Sequence, residues 1–346
     1  MNSKTNDLIS RQAYRMSKAG SINSIKLITD SIQEPADNEV TVEVKAIGLN
    51  FADLFAIQGL YSATPKGSFV PGLEYSGIVL NTGSKANNFK VGDKVMGAIR
   101  FGAYVTYLNI DQRYILKLPE GWTFEEGASF IVQSLTAYYS LVELGNIKPN
   151  DTVLIHSAAG GVGIYANRIA KKFSAFTIGT IGSESKRNFL INEDYDRVIV
   201  RGNNFGKQLK SVLRERKLNL VLESIGGKVF EESFNALAPS GRIIIYGGAQ
   251  FMSQSSRPNY FNVFYKYLTR PKVDPLSLSN INKSVMGFNL IYFWDRPDEL
   301  NDMAIEILKM NLQRPYVGKV FSFDNLIEAL KYFQTGKSIG KVVIMT

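Results

Sequence analysis

His156-Ser-Ala-Ala-Gly-Gly-Val-Gly163 is the stretch whose residue types and spacing most plainly carry chemistry. It follows the apolar run Thr152-Val-Leu-Ile155 and leads into a helical pattern over Val162–Phe173. A strand turning sharply into a helix through small residues presents bare backbone N–H groups to an anion. On the G-x-G-x-x-G template the positions read Ala158, Gly160 and Gly163, with Gly161 in addition. A side chain at Gly160 or Gly161 would hold a diphosphate away, and Gly163 permits close helix–strand packing. A lone glycine motif is equally a tight turn. The strand before it and the helix after it favour a dinucleotide, with contacts from Ala159, Gly160, Gly161, Val162 and Gly163.

The ribose contacts follow from the end of the next strand. An NAD site wants Asp or Glu about 20 residues past the glycines. Here the position falls at Ile181 or Gly182, and Glu184 comes two residues late. Ser183, Ser185 and Lys186 suit a 2′-phosphate instead, which favours NADPH over NADH. The plainer reading makes Lys186 and Arg187 ordinary surface residues of a helix.

Cysteine is absent and His156 is the single histidine. Disulfides, cysteine redox centres and cysteine-ligated zinc are excluded, and chemistry falls to carboxylates, hydroxyls, lysines and a bound cofactor. His156 ends a strand and is read as structural. Tyr14-x-x-x-Lys18 resembles a dehydrogenase Tyr/Lys pair, but it precedes the glycine loop and is a chance match.

The positioning elements divide in two. Up to residue 137 short strands alternate with Gly- and Asp-containing turns; Glu39–Ala46 strictly alternates polar and apolar residues, which suggests a compact antiparallel barrel. Over 138–282, strands and helices alternate as in a doubly wound parallel sheet. Residues 283–346 are expected to return to the first domain, with a helix over Pro297–Met310 and a closing strand over Gly340–Met345. The fold class is α/β.

The chain has 346 residues, 45% hydrophobic and 21% charged, with a net charge of +9. That is globular composition. The basic cluster Lys207–Lys217 reads as a solvated helix face, and nucleic acid is not expected as a partner. No run reaches the length of a membrane span, and the basic start lacks an apolar signal core, so the cytoplasm is expected. The aromatic stripe in Pro258–Leu268 should be buried, as such stripes usually are.

Leu49-Asn-Phe-Ala-Asp53, Pro71-Gly-Leu-Glu-Tyr-Ser-Gly-Ile-Val79, Val91-Gly-Asp-Lys-Val95 and the glycine loop occur in an order that resembles the medium-chain dehydrogenase/reductase superfamily. Zinc-dependent members carry Cys and His where this chain has Asn50 and Leu73. The chain therefore resembles the zinc-free, zeta-crystallin-like quinone oxidoreductases, and especially the vesicle amine transport protein homologues. The resemblance implies a GroES-like β-barrel catalytic domain, a Rossmann domain and a homodimer. It puts Asn50 and Asp53 at the mouth of the nicotinamide pocket and Tyr61 on its substrate side. Thr136 would lie near the nicotinamide ribose. Tyr246, Gly247 and Gly248 would run beside the cofactor, Met286, Gly287 and Phe288 near the carboxamide. Ser338 to Lys341 would close the site. Arg201 and Gln133 depart from the usual residues, which are often Tyr, and Lys or Asn.

Without a metal, the acceptor expected is a quinone or enone, which takes hydride at carbon and spreads charge onto oxygen. Tyr61 would donate to that oxygen, Asn50 hold it or the ribose, and Asp53 orient either. Plainer roles stand beside these: Asp53 capping a helix, Tyr61 packing, Asn50 shaping a turn. Enoyl reduction, or a non-catalytic NADPH-bound protein that binds a lipid surface or partner, are the alternatives.

Overall fold

The computed structural model describes residues 8–346; the expectation drawn from the start of the chain falls partly on residues 1–7, outside the described residues. In chain order the first domain comprises β1 (Ile9–Arg15), β2 (Lys26–Ile32), β3 (Glu39–Gly48), α1 (Phe51–Ile57), β4 (Glu74–Thr82), β5 (Lys94–Ala98), β6 (Tyr107–Asp111), β7 (Ile115–Lys117) and α2 (Phe124–Gly127). The chain continues through α3 (Ile131–Tyr138), β8 (Thr152–Ile155), α4 (Gly161–Lys172), β9 (Phe176–Ile181), α5 (Arg187–Asn192), β10 (Arg197–Val200) and α6 (Phe205–Leu213). Then come β11 (Leu218–Glu223), α7 (Gly227–Ala236), β12 (Leu237–Ile245), α8 (Tyr260–Leu268), α9 (Pro275–Ile281) and β13 (Ser284–Gly287). It closes with α10 (Pro297–Lys309), β14 (Val317–Ser322), α11 (Leu326–Gln334) and β15 (Lys341–Met345).

The alternation over 39–46 becomes β3, with Val40, Val42, Val44 and Ala46 buried. β3 is the hub of a seven-stranded sheet ordered β14-β15-β3-β4-β5-β7, with β6 also paired to it. Its strands from β3 to β7 are antiparallel, and β15 returns to pair antiparallel with β3. One core gathers Val40, Val42, Leu54, Tyr75, Tyr104 and Leu330.

The second sheet is parallel throughout, in the order β10-β9-β8-β11-β12-β13. Every residue of β8 is buried, as expected of a strand covered on both faces. Counted from β8, the order is 3-2-1-4-5-6, so the side on which successive strands are added switches between β8 and β11. The crevice outside their carboxyl ends is where such sheets bind ligands.

Three expectations need correction. β13 is the sixth strand of the parallel sheet, so that sheet runs past the boundary placed at 282; four residues are too few to announce a strand. The basic helix stops at Leu213 because Arg214 takes φ +49°. It buries Phe205, Leu209 and Leu213 and turns Lys207 and Lys210 to solvent. The aromatic stripe is not buried within the chain: α8 has no buried residue, and Phe261 is 83% exposed. Among the described residues, no helix is long and apolar enough to cross a membrane.

Candidate functional site

A cavity of about 720 Å³ opens at the switch point and continues between the two domains. At its inner edge the Ser157 and Ser224 hydroxyls, from the ends of β8 and β11, lie 3.0 Å apart. Ser157 has φ +51°, a costly conformation for serine that the sharp strand-to-helix turn imposes.

Gly160 is the N-cap of α4, and no side chain caps the helix there, so its first N–H groups face the cavity unclaimed by a cap. A Cβ on Gly163 would come within 2.6 Å of Ala158 Cα, which confirms the close strand–helix packing. Gly161 is constrained differently from expectation. Its Cβ would fall 1.6 Å from Gln133 Oε1, so it is glycine because Gln133 lies across it. Ala159, Gly160, Gly161, Val162 and Gly163 all line the cavity, with Thr136, Tyr246, Gly247, Gly248 and Phe288. Gly287 does not; it ends β13 opposite Ile245, and the next residue reaches the wall.

Lys186 and Arg201 line the far end. Arg201 donates to Thr180 Oγ1 at 2.8 Å, and its Nη2 is 3.6 Å from where a Gly182 Cβ would stand. Burial and the nearby Arg201 lower the Lys186 pKa. Ser183 and Ser185 stay off the wall: exposed on a turn, their hydroxyls meet each other at 2.9 Å.

The opposite end is an apolar chamber walled by Phe51, Phe55, Leu73, Ile99, Ile291 and Trp294. Tyr61 lines it and donates to Asn289 Oδ1 at 2.6 Å, across the domain boundary. Burial, above all, pushes the Tyr61 hydroxyl up to about 12. Asn289 was not anticipated as a site residue; its only signal was a polar residue inside an apolar run.

Asn50 lines the cavity, but its side chain is fully engaged. Its Oδ1 accepts from Lys341 Nζ at 2.8 Å, and its Nδ2 donates to Gly48 O at 3.2 Å and Glu74 Oε2 at 3.3 Å. Lys341 is a correction. It does not reach the cavity; its ammonium turns into the barrel, where buried Glu74 accepts from it at 2.5 Å. Asp53 is another. Completely buried at the third position of α1, its Oδ2 accepts from Asn50 N at 2.8 Å and from Tyr104 OH at 3.0 Å. The capping role therefore accounts for it, and burial raises its pKa to about 7.

These residues do not fit a zinc ion. Leu73 has no donor, and an ammonium already neutralises Glu74. Among the described residues no group of three His, Cys, Asp or Glu side chains is gathered for a metal.

His156 is fully buried and does not line the cavity. Its Nδ1 lies 2.8 Å from Thr180 Oγ1 and its Nε2 lies 2.9 Å from Ser233 Oγ. Arg201 donates to Thr180 and Ser233 donates to Val229 O, so Thr180 donates to Nδ1 and Nε2–H donates to Ser233. Burial lowers the imidazole pKa to about 3 and keeps it neutral. Tyr14, of the chance Tyr/Lys pair, is buried and donates to Phe323 O.

Residues 36–120 match the family described as Alcohol dehydrogenase GroES-like domain, and 161–286 the one described as Zinc-binding dehydrogenase. The chain is 32% identical to a synaptic vesicle membrane protein VAT-1 homolog of Danio rerio, over 98% of this chain and 71% of that protein. It is 34% identical to the reducing polyketide synthase hmp8 of Hypomyces subiculosus, over 94% of this chain and 13% of that protein. The solved human VAT-1 homolog-like protein superposes with a TM-score of 0.82 at 25% identity, covering 98% of each chain. The Escherichia coli quinone oxidoreductase solved with NADPH does so at 0.84 and 26%, covering 98% of this chain and all 100% of that one. Sheet order, glycine loop and these likenesses agree, and the chain belongs to the medium-chain dehydrogenase/reductase superfamily, among its quinone oxidoreductase-like members close to the VAT-1 homologues.

Proposed function

We propose that the chain is an NADPH-dependent, zinc-independent oxidoreductase that reduces quinones and other conjugated carbonyl compounds in its interdomain cleft. One observation carries this: a single cavity joins an uncapped, glycine-lined helix N-terminus to an apolar aromatic chamber. NADPH bound there supplies a hydride. The amides at the start of α4 hold the diphosphate, and Arg201, with Lys186 beside it, meets the 2′-phosphate. Thr136, Tyr246, Gly247, Gly248 and Phe288 wall the cofactor's path. The solved quinone oxidoreductase with NADPH supports this choice.

Phe51, Phe55 and Trp294 exclude water from the acceptor and leave its oxygen to the few polar groups present. Tyr61 and Asn289 are the pair for that oxygen. When Tyr61 turns its hydrogen to the developing oxyanion, the Asn289 amide donates to the Tyr61 oxygen in its place. Asn50 is a wall and not a donor, because its amide hydrogens are spent. Zinc independence rests on the Asn50–Glu74–Lys341 cluster. A homodimer is part of the proposal, supported by the unpaired edge at β13 and the exposed α8. So is a cytoplasmic location.

The test mixes purified protein with NADPH, chelator and a panel of quinones and enones. The near-ultraviolet absorbance of NADPH should fall with at least one acceptor. No loss with any acceptor overturns the reading. An enoyl-thioester acceptor is the second reading, favoured by the likeness to the reducing polyketide synthase, and belongs in the same panel.

A further inference from the structure

Lys186 has partners before any anion arrives. Its Nζ donates to the carbonyl oxygens of Gly336 and Ser338, each at 2.7 Å. Those residues belong to the segment between α11 and β15, which returns from the barrel domain. The same segment also touches the phosphate loop. Gly340 N–H donates to Ala159 O at 2.8 Å, and Gly160 and Gly340 form an isolated parallel bridge. One residue further, Lys341 holds Asn50 and Glu74. Six residues thus connect the phosphate end of the crevice to the floor of the acceptor chamber.

An ammonium has three donors, and two of those on Lys186 are spent on carbonyls. The third is free for an anion on the wall that Lys186 shares with Arg201. A carbonyl carries only a partial charge, whereas a phosphate forms a shorter and stronger charge-assisted bond. The anion therefore adds to the carbonyl contacts and need not displace them.

We propose that Lys186 is a positioning residue that latches segment 336–340 over the phosphate loop in the free protein, and that a 2′-phosphate on the bound nucleotide tightens the latch. A nucleotide carrying that phosphate then holds the cleft more closed than one lacking it, by its differential affinity for the latched state. The second half rests on the NADPH reading; the first is a property of the protein alone.

Hydrogen exchange on the free full-length protein tests the first half. Losing two bonds to a charged donor should speed exchange of the 336–340 amides by about tenfold or more in Lys186→Met. Tryptic cleavage after the exposed Lys337 should quicken in step. Lys186→Arg, which keeps a cation and two donors, should restore most of the protection. Arg201→Met should leave exchange as in the parent protein while weakening NADPH, and not NADH, by about tenfold or more. In the parent protein NADPH should slow exchange of the segment further than NADH does. Unchanged exchange in Lys186→Met overturns the latch, whatever that variant's nucleotide affinity. Should Lys186→Met not fold, Lys186→Gln is read by the same two criteria. Equal effects of the two nucleotides on the parent protein, with exchange still faster in Lys186→Met, overturn the tightening and leave the latch standing.

Discussion

Asp53 is a carboxyl group with no room for a full charge: buried, with Oδ1 unpartnered, it titrates near 7 instead of 3.8. Between those values the native chain holds a proton that the unfolded chain has released, so this group's contribution to stability falls as pH rises. Asp53→Asn removes that loss. The melting temperature of the variant relative to the parent protein should rise between about pH 4 and about pH 7; a constant difference contradicts the assignment. Lys341 makes the complementary case. Lys341→Met leaves Glu74 buried without its counter-charge, which should cost about 3–5 kcal/mol in denaturant unfolding. If the lysine were a cofactor contact, stability would hardly change and NADPH affinity would fall. His156→Gln should keep kcat within about twofold, since the imidazole is neutral and does not line the cavity; a hundredfold loss would restore it as a catalytic group. The structural role of His156 was legible from its place at a strand end. The partners of Asp53 and Lys341 were not, because spacing along a chain says which residues are near and not which way a side chain turns for a counter-charge.

At the scale of elements, the strand–glycine–helix unit was legible almost to the residue. β8 declares itself by an unbroken apolar run, and Gly163 by the packing a Cβ would destroy. What could not be read was Gln133, whose position over Gly161 depends on α3 packing against α4. Two of the three glycines at the start of the helix, Gly160 and Gly163, separate by experiment. Gly163→Ala overpacks the Ala158 backbone and should destabilise the protein by about 1–3 kcal/mol. A Cβ on Gly160 meets only Ser157 O at 3.2 Å, so Gly160→Ala should fold with little loss while weakening nucleotide binding. Equal melting temperatures for the two variants would contradict this difference. α8 defeats pattern reading for another reason. A stripe of Tyr, Phe and Leu has the same period whether a neighbour covers it or not, and here no other element among the described residues covers it.

At the scale of the molecule, two sheets meet along a cleft that one return segment closes from the barrel side, and Met96 of the barrel packs in the same core as Val153 and Leu220 of the parallel sheet. Domain order and sheet topology were readable because parallel sheets impose a rhythm of strand and helix on the sequence. The seams between domains were not. Tyr61 to Asn289 and Lys186 to Ser338 join residues more than a hundred positions apart, and no local signal marks such pairs. The central claim is that the bare helix N-terminus at residue 160 receives a dinucleotide phosphate. A crystal structure of the protein soaked with NADPH tests it most directly. The diphosphate should lie within hydrogen-bond distance of the Gly161–Gly163 amides, with the 2′-phosphate against Arg201. A nucleotide bound elsewhere, or a crevice that stays empty at saturating NADPH, would contradict it.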